Sequence, residues 1–175
     1  MNEVEQRLGW ALTACSCARA RMTPVRRAIL AFLAARRLPA SLEMIGQADG
    51  VRGQCGATTV YRTLMLFEGA EVVRLVGSPH KISYFVLNVP GASNHFLICR
   101  RCGCLAELAL PPVMEEAIHN IGAAQGFPST HHDCEVHGFC SACQSVRVGQ
   151  GMPSKLSSGQ AAWLRLRPPM DCAGL

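Results

Sequence analysis

Apolar residues recur at helical spacing after Thr23-Pro24, where Val25, Ile29, Phe32 and Leu33 fall on one side of a 3.6-residue period. Thr at the cap position and Pro at the first helical position mark the start of that helix, and the pattern carries it to about Arg37. Leu38-Pro39 ends it, and Ser41 caps a short second helix carrying Leu42 and Ile45. Gly50 to Gly56 is a glycine-rich connector. A third helix is predicted from Ala57 to Gly69, with Val60, Leu64 and Phe67 as its apolar stripe. Glu71 to Val76 and Ile82 to Leu87 are strand-like, and the turn-forming Gly77-Ser78-Pro79 between them makes a hairpin. Three helices followed by a hairpin is the order of a winged helix-turn-helix.

Val89-Pro90-Gly91-Ala92-Ser93 has the composition of a hinge. Beyond it, strands are predicted at His95 to Cys99 and Leu105 to Leu110. A helix starting near Pro111-Pro112 follows, with Met114, Ala117, Ile118 and Ile121 on one face. A further strand near His131 to Phe139 leads into a last cysteine pair. After Val148 the chain turns to Gly, Ser, Pro and Gln. The expected organisation is therefore α+β: a winged-helix unit over 1–89, a small α/β unit over 90–148, and a disordered tail over 149–175. No internal repeat is visible.

Composition narrows the functional classes. Hydrophobic residues make up 49% of the 175 positions, enough for a packed core. No run approaches the ~18 apolar residues of a membrane span, and the acidic start Met1-Asn2-Glu3-Val4-Glu5 lacks the form of a secretory signal. A cytoplasmic protein with no membrane partner is the expectation, and its ten cysteines should then be reduced thiols suited to metal. The net charge of +5 lies entirely in residues 1–89. Between Arg19 and Arg62, eight arginines face only Glu43 and Asp49. A basic half joined to a neutral half points to a polyanion-binding module, although an Arg-rich surface would give the same charge.

The sharpest chemical pattern is Cys99-Arg100-Arg101-Cys102 with Cys140-Ser141-Ala142-Cys143. Two residues between thiolates let a tight turn aim both sulfurs at one ion, and two such turns fill a tetrahedral zinc shell without leaving room for water. That makes the site structural rather than catalytic. The long insertion between the knuckles is tolerable because loop-closure cost grows only logarithmically with length. Cys104 forms a C-x-C with Cys102 but would be a fifth thiol. Cys134 reads as a core residue, and Cys15, Cys17, Cys55 and Cys172 as ordinary apolar or surface positions. A thiol-redox zinc protein is the competing class. A Cys/His enzyme would need an activated thiol beside a histidine, and no cysteine outside the knuckles has that setting.

On the third helix, Thr58, Tyr61, Arg62 and Met65 project opposite the core stripe, near its N-terminus. The second helix of a helix-turn-helix presents such residues to the major groove, where Arg62 would meet guanine or phosphate and Tyr61 a thymine methyl or phosphate. An exposed polar face is the alternative reading. Thr59-Val60-Tyr61-Arg62-Thr63-Leu64, preceded by Arg21-x-Thr23-x-x-Arg26, resembles the DNA-binding half of ferric uptake regulator (Fur) family repressors. His95-Phe96-Leu97-Ile98-Cys99-Arg100-Arg101-Cys102-Gly103 with His137-Gly138-Phe139-Cys140-x-x-Cys143 resembles their metal-binding dimerisation half. The likeness runs from about Arg19 to Cys143.

The resemblance implies a homodimer that binds double-stranded operator DNA as a metal-dependent repressor rather than an enzyme. It makes Tyr61 and Arg62 operator contacts, with Thr58 and Arg19 as further candidates, and makes Cys99, Cys102, Cys140 and Cys143 structural Zn2+ ligands. A second, regulatory divalent metal, Zn2+ or Fe2+, is also implied. Here the sequence departs from the family pattern: the loop before the first knuckle holds one histidine, and Leu38-Pro39 stands where members usually carry His. The sensor candidates that remain are His80, His95, Glu107 and one of His131 and His132, with His132 taken. Glu115 and His119 share a helix face but read as a surface pair, and His137 reads as a packing residue. His80-Lys81 by the wing and His137-Gly138 before the third cysteine resemble members with zinc as signal. Iron-, manganese- or peroxide-responsive regulation stays open at this point.

Overall fold

The structure, a computed structural model, describes residues 2–77, 82–92, 94–127 and 132–145. The expected tail, the wing turn with His80, and His131 lie outside these residues.

The chain opens with a helix that the apolar pattern did not reveal, α1 (Glu3–Cys17). Its signal was a capping box: the Asn2 side chain accepts from the Glu5 backbone N–H at 2.9 Å, and the Glu5 carboxylate accepts from the Asn2 N–H at 3.0 Å. Ala11 and Cys15 are fully buried against the next helix, α2 (Pro24–Ala34). Arg7 donates to the Arg36 carbonyl at 2.7 Å, and Glu3 pairs with Arg37 at 2.8 Å. Helix α1 is thereby stitched to the end of α2. Arg19 follows α1 in the left-handed conformation (φ 55°), with Ala20 N–H bonded back to Cys15 O. This is a Schellman closure made without the usual glycine.

Helix α2 starts as predicted, with Thr23 Oγ1 accepting from Arg26 N–H. It stops at Ala34, three residues short of the expected Arg37, because Arg36 N–H turns to the Leu33 carbonyl and Pro39 holds Leu38 away from helical geometry. Strand β1 (Ala40–Ser41), too short to be visible as a pattern, precedes α3 (Leu42–Gly46), which Ser41 caps. The connector to α4 (Ala57–Gly69) requires glycine at Gly50: its φ is +74°, and a Cβ there would stand 3.1 Å from that of Ala28. Val60, Leu64 and Phe67 of α4 join Ile29, Leu30, Leu33 and Ile45 in one apolar core. Phe67 is its largest α4 side chain, so Phe67→Ala should cost ~3–5 kcal/mol.

The wing is a three-stranded antiparallel sheet, β1 with β2 (Val73–Val76) and β3 (Tyr84–Leu87), in the order β1-β3-β2. The expected strand start at Glu71 was two residues early. Glu71 sits at φ 57° and Val72 N–H returns to Phe67 O, so both residues close α4. With the wing behind α2, α3 and α4, this half is a winged helix-turn-helix.

A second sheet holds β4 (Phe96–Cys99) between antiparallel β5 (Leu105–Glu107) and parallel β6 (Glu135–Gly138). Helix α5 (Pro112–Ala124) spans the crossover, and α6 (Ser141–Ser145) carries the last knuckle. The two sheets share a small core of Val76, Tyr84 and Val86 with Phe96, Ile98 and Leu105, edged by Leu38 and Ile82. The apolar stripe expected on α5 is not covered: none of its residues is buried, and Ile121 and Val113 are 65% and 69% exposed. No helix among the described residues is long and apolar enough to cross a membrane.

Candidate metal centres and nucleic-acid interface

The four knuckle sulfurs converge. Cys99 ends β4, Cys102 lies on the turn after it, and Cys140 and Cys143 flank the start of α6. Their Sγ atoms all lie within 4.8 Å of one another, and Cys102 Sγ is 3.7 Å from Cys140 Sγ. A tetrahedron with Zn–S arms of ~2.3 Å has edges of ~3.8 Å, so this separation is that of a zinc shell. Turn geometry keeps the sulfurs there. Gly103, at φ 72°, lets its N–H reach Cys99 O, Cys143 N–H returns to Cys140 O, and Arg101 donates to Cys143 O at 2.9 Å.

The thiols of the cluster shift in opposite directions. Burial pushes the Cys99 thiol up, but the backbone N–H groups of Cys102, Cys140 and Arg101 outweigh it and bring it down to about 6. Cys102 and Cys143 move the other way, through burial first and then neighbouring sulfurs. Four thiolates could share this space only around a cation, and a closed four-cysteine shell of this kind, where zinc fills it, is structural.

A second cluster lies apart from the first. His95, just before β4, Glu115 on α5 and His132, before β6, place their ligand atoms within 4.8 Å of one another. His95 Nε2 is 3.2 Å from Glu115 Oε1, and His132 Nε2 is 2.9 Å from Oε2 of the same carboxylate. His95 is buried, and its Nδ1 accepts from the Cys134 backbone N–H at 3.0 Å, which leaves its ring proton on Nε2. His132 Nε2 is buried without a hydrogen bond of proper geometry despite its closeness to Glu115. An orphaned imidazole nitrogen beside a second imidazole and a carboxylate is a donor set that could hold a divalent cation. If His95 Nε2 is the ligand atom, its proton must leave, and a neutral ring then carries its proton on Nδ1. Occupancy would thus cost the Cys134 hydrogen bond, about 1 kcal/mol.

Of the sensor candidates read from sequence, the structure brings His95 and His132 together, and His80 lies outside the described residues. Glu107 is not in this cluster: it sits exposed at the end of β5, electrostatically coupled to Arg7 and Arg37. Glu115 takes the carboxylate position. Sequence reasoning paired it with His119, which is exposed on α5, because nothing in the i, i+4 pattern reveals a partner on another strand. His137 is exposed beside Glu135 rather than packed, and Cys134 is half-buried.

On α4, Thr58, Tyr61 and Arg62 are all exposed, with Tyr61 45% accessible, while Val60, Thr63 and Leu64 face the core. N-cap Gly56 supplies no side chain, so the positive end of the helix dipole is open beside these residues. Arg19 is exposed at the end of α1.

A sequence model of the ferric uptake regulator family matches residues 18–137. The chain belongs to the ferric uptake regulator family. The match takes in α2 to α4, the wing and the three-donor cluster, and stops short of Cys140 and Cys143. Among curated relatives of this family member, the zinc uptake regulation protein of Escherichia coli (strain K12) is 28% identical over 139 residues, 77% of this chain and 79% of the relative. The peroxide-responsive repressor PerR of Staphylococcus aureus (strain NCTC 8325 / PS 47) is 27% identical over 147 residues, covering 82% and 96%. Among solved structures, the Vibrio cholerae ferric uptake regulator aligns at a TM-score of 0.60 with 25% identity, covering 73% of this chain and 98% of that one. A zinc uptake regulator complexed with zinc and DNA aligns at 0.50 with 25% identity, covering 83% and 98%. Like its relatives in the Fur family, the chain is a metal-responsive transcriptional regulator.

Proposed function

We propose that this chain is a metal-activated repressor of metal-homeostasis genes. Its regulatory cation sits at His95, Glu115 and His132, and its structural zinc at Cys99, Cys102, Cys140 and Cys143. The observation that carries the reading is the three-donor cluster, chemically distinct from the sulfur site and formed by α5 and the segments on either side of it. Imidazole with carboxylate suits zinc, iron or manganese. Zinc is the proposed signal, supported by the zinc uptake regulation protein among the relatives. An iron- or peroxide-responsive regulator is the second reading: two imidazoles and one carboxylate are also a facial set for iron(II), and the PerR relatives are nearly as similar.

In this reading residues 1–89 are the DNA-binding unit and 90–148 the metal-binding unit. Thr58, Tyr61 and Arg62 enter the major groove of double-stranded operator DNA, with Arg19 on the flanking backbone. A second copy of the chain covers the apolar surface that one copy leaves in water: Val113, Met114 and Ile121 on α5, and Leu97 beside Val136 on the second sheet. The thiol-redox alternative uses the cysteines chemically, whereas a closed zinc shell occupies them. The deciding experiment is operator binding by the zinc-stapled protein, titrated anaerobically with buffered zinc, iron(II) and manganese(II), then repeated after mild peroxide. Tightening at the lowest free concentration with zinc supports the proposal. Indifference to all three metals with loss of binding after peroxide overturns it.

A further inference from the structure

Arg74 is a wing residue whose side chain leaves the wing. It lies on β2, 14% exposed, and its polar partners among the described residues belong to the second sheet and the segments leading into it. One terminal nitrogen donates to the Asn94 carbonyl at 2.6 Å, and the other is 3.4 Å from Glu135 Oε1. Its Nε lies 3.3 Å from Asp133 Oδ1, an ion pair without hydrogen-bond geometry, and its guanidinium carbon stands 5.6 Å from the centre of the Phe96 ring. The fit beneath β2 is close elsewhere too: a Cβ on Gly77 would come within 3.2 Å of Glu135 Oε2.

Two of the three partners of Arg74 are chain neighbours of the candidate cation ligands. Asn94 precedes His95, and Asp133 follows His132. The same two segments are tied again where Phe96 N–H donates to Cys134 O. A planar guanidinium with donors in fixed directions bonds Asn94 and Glu135 and keeps its charge beside Asp133 only when both segments lie side by side. Ligation by His95 and His132 demands the same arrangement. On the other side of Arg74, its neighbour Val73 is buried in the core that holds Val60, Leu64 and Phe67 of α4.

We infer that Arg74 is the positioning residue that couples the His95–Glu115–His132 cluster to the DNA-contacting helix. The inference rests on the proposed reading of that cluster as the regulatory site. An ion held by His95 and His132 favours the arrangement that Arg74 clamps, and the clamp holds β2, and with it α4, in one orientation against the second sheet. By linkage, DNA bound to that orientation tightens the ion by the same factor. Arg74 touches neither ion nor DNA.

The test uses the full chain with its structural zinc retained, and a duplex selected from a random library by the zinc-saturated wild type. The readout is the ratio of duplex affinities at saturating and at depleted free zinc. Wild type should show a ratio in the usual range for allosteric coupling, about 5- to 150-fold. Arg74→Gln should bring the ratio close to one. Arg74→Lys should not restore it, because a compact ammonium cannot reach Asn94 and Glu135 in the two directions that the guanidinium fork does. Asp133→Asn and Glu135→Gln, which each remove one contact, should give intermediate ratios and decide the matter if Arg74→Gln fails to fold. Hydrogen exchange gives an independent readout: zinc should protect the β2 amides in wild type and not in Arg74→Gln. A merely structural role would lower thermal stability and leave the ratio unchanged. Wild-type ratios in Arg74→Gln, or in both carboxylate variants, overturn the inference and leave the regulatory site standing. A wild-type ratio of one overturns the regulatory reading itself.

Discussion

The rings of His95 and His132 stack with centroids 5.0 Å apart and planes inclined by 22°, so their Nε2 atoms meet the two oxygens of Glu115 side by side. One carboxylate on α5 thereby gathers imidazoles from the entries to β4 and β6, and a cation can take the place of that gathering. His95→Ala, Glu115→Gln and His132→Ala should each leave the structural zinc in place. Each should raise the free zinc needed for operator binding by more than about tenfold, since second-shell changes alone reach 10–100-fold in metal affinity. Glu107→Ala, measured in parallel, separates this cluster from one built at the end of β5, and a shift of equal size there would mean a second regulatory ion. Titration curves identical to wild type for the three cluster variants would remove the site.

The exposed face of α4 makes its own prediction. If Arg62 reads a base edge, Arg62→Ala should weaken operator binding by ~1–3 kcal/mol and relax the preference at one base pair. If it holds a phosphate, binding should weaken on every sequence and the salt slope should fall by about one. Tyr61→Ala should also weaken binding. Unchanged operator affinity in both variants would mean that another surface meets DNA.

Arg19 separates stability from binding. Its left-handed backbone is costly for a side chain with a Cβ, by about 1–2 kcal/mol, part of which glycine returns as its own entropy loss. Arg19→Gly should therefore raise the melting temperature while weakening DNA binding, and the binding loss should fade at high salt. A variant with neither change would leave Arg19 without a role at the interface.

Replacing Cys102 with Ser should release zinc and loosen the region around α6. Structural zinc contributes ~10–16 kcal/mol in small domains, more than a sheet of three short strands supplies alone. Native mass spectrometry and thiol alkylation read this directly. Rapid alkylation of all four thiols at full zinc occupancy would contradict the assignment.

Ile121 is 65% exposed on a helix without a buried residue. Ile121→Glu should therefore dissociate the proposed dimer, seen by sedimentation equilibrium, without unfolding the chain. A variant that sediments as wild type would place the dimer face elsewhere.

The elements that the sequence determined by itself are those whose signals are local. Thr23-Pro24 starts α2 and Ser41 starts α3 because a hydroxyl oxygen can satisfy backbone N–H groups one turn ahead wherever the helix lies. The period of Val60, Leu64 and Phe67 defines both the core side of α4 and the side left for Tyr61 and Arg62. Two C-x-x-C turns each aim their sulfurs at a point, so the four-sulfur cluster was legible before any fold. Helix α1 was also written locally, in the Asn2–Glu5 capping box, but its apolar spacing is too weak to stand out beside it. Tertiary structure alone decided the three-donor cluster. Glu115 and His119 look like neighbours along one helix, yet the crossover that α5 makes between β5 and β6 brings Glu115 to His95 and His132 and leaves His119 in water. The span of Arg74 from wing to second sheet was equally hidden, because a strand arginine carries no mark of which carbonyl or carboxylate it will meet. Contacts between segments far apart in the chain depend on how sheets and helices pack, and no periodicity along the chain encodes that.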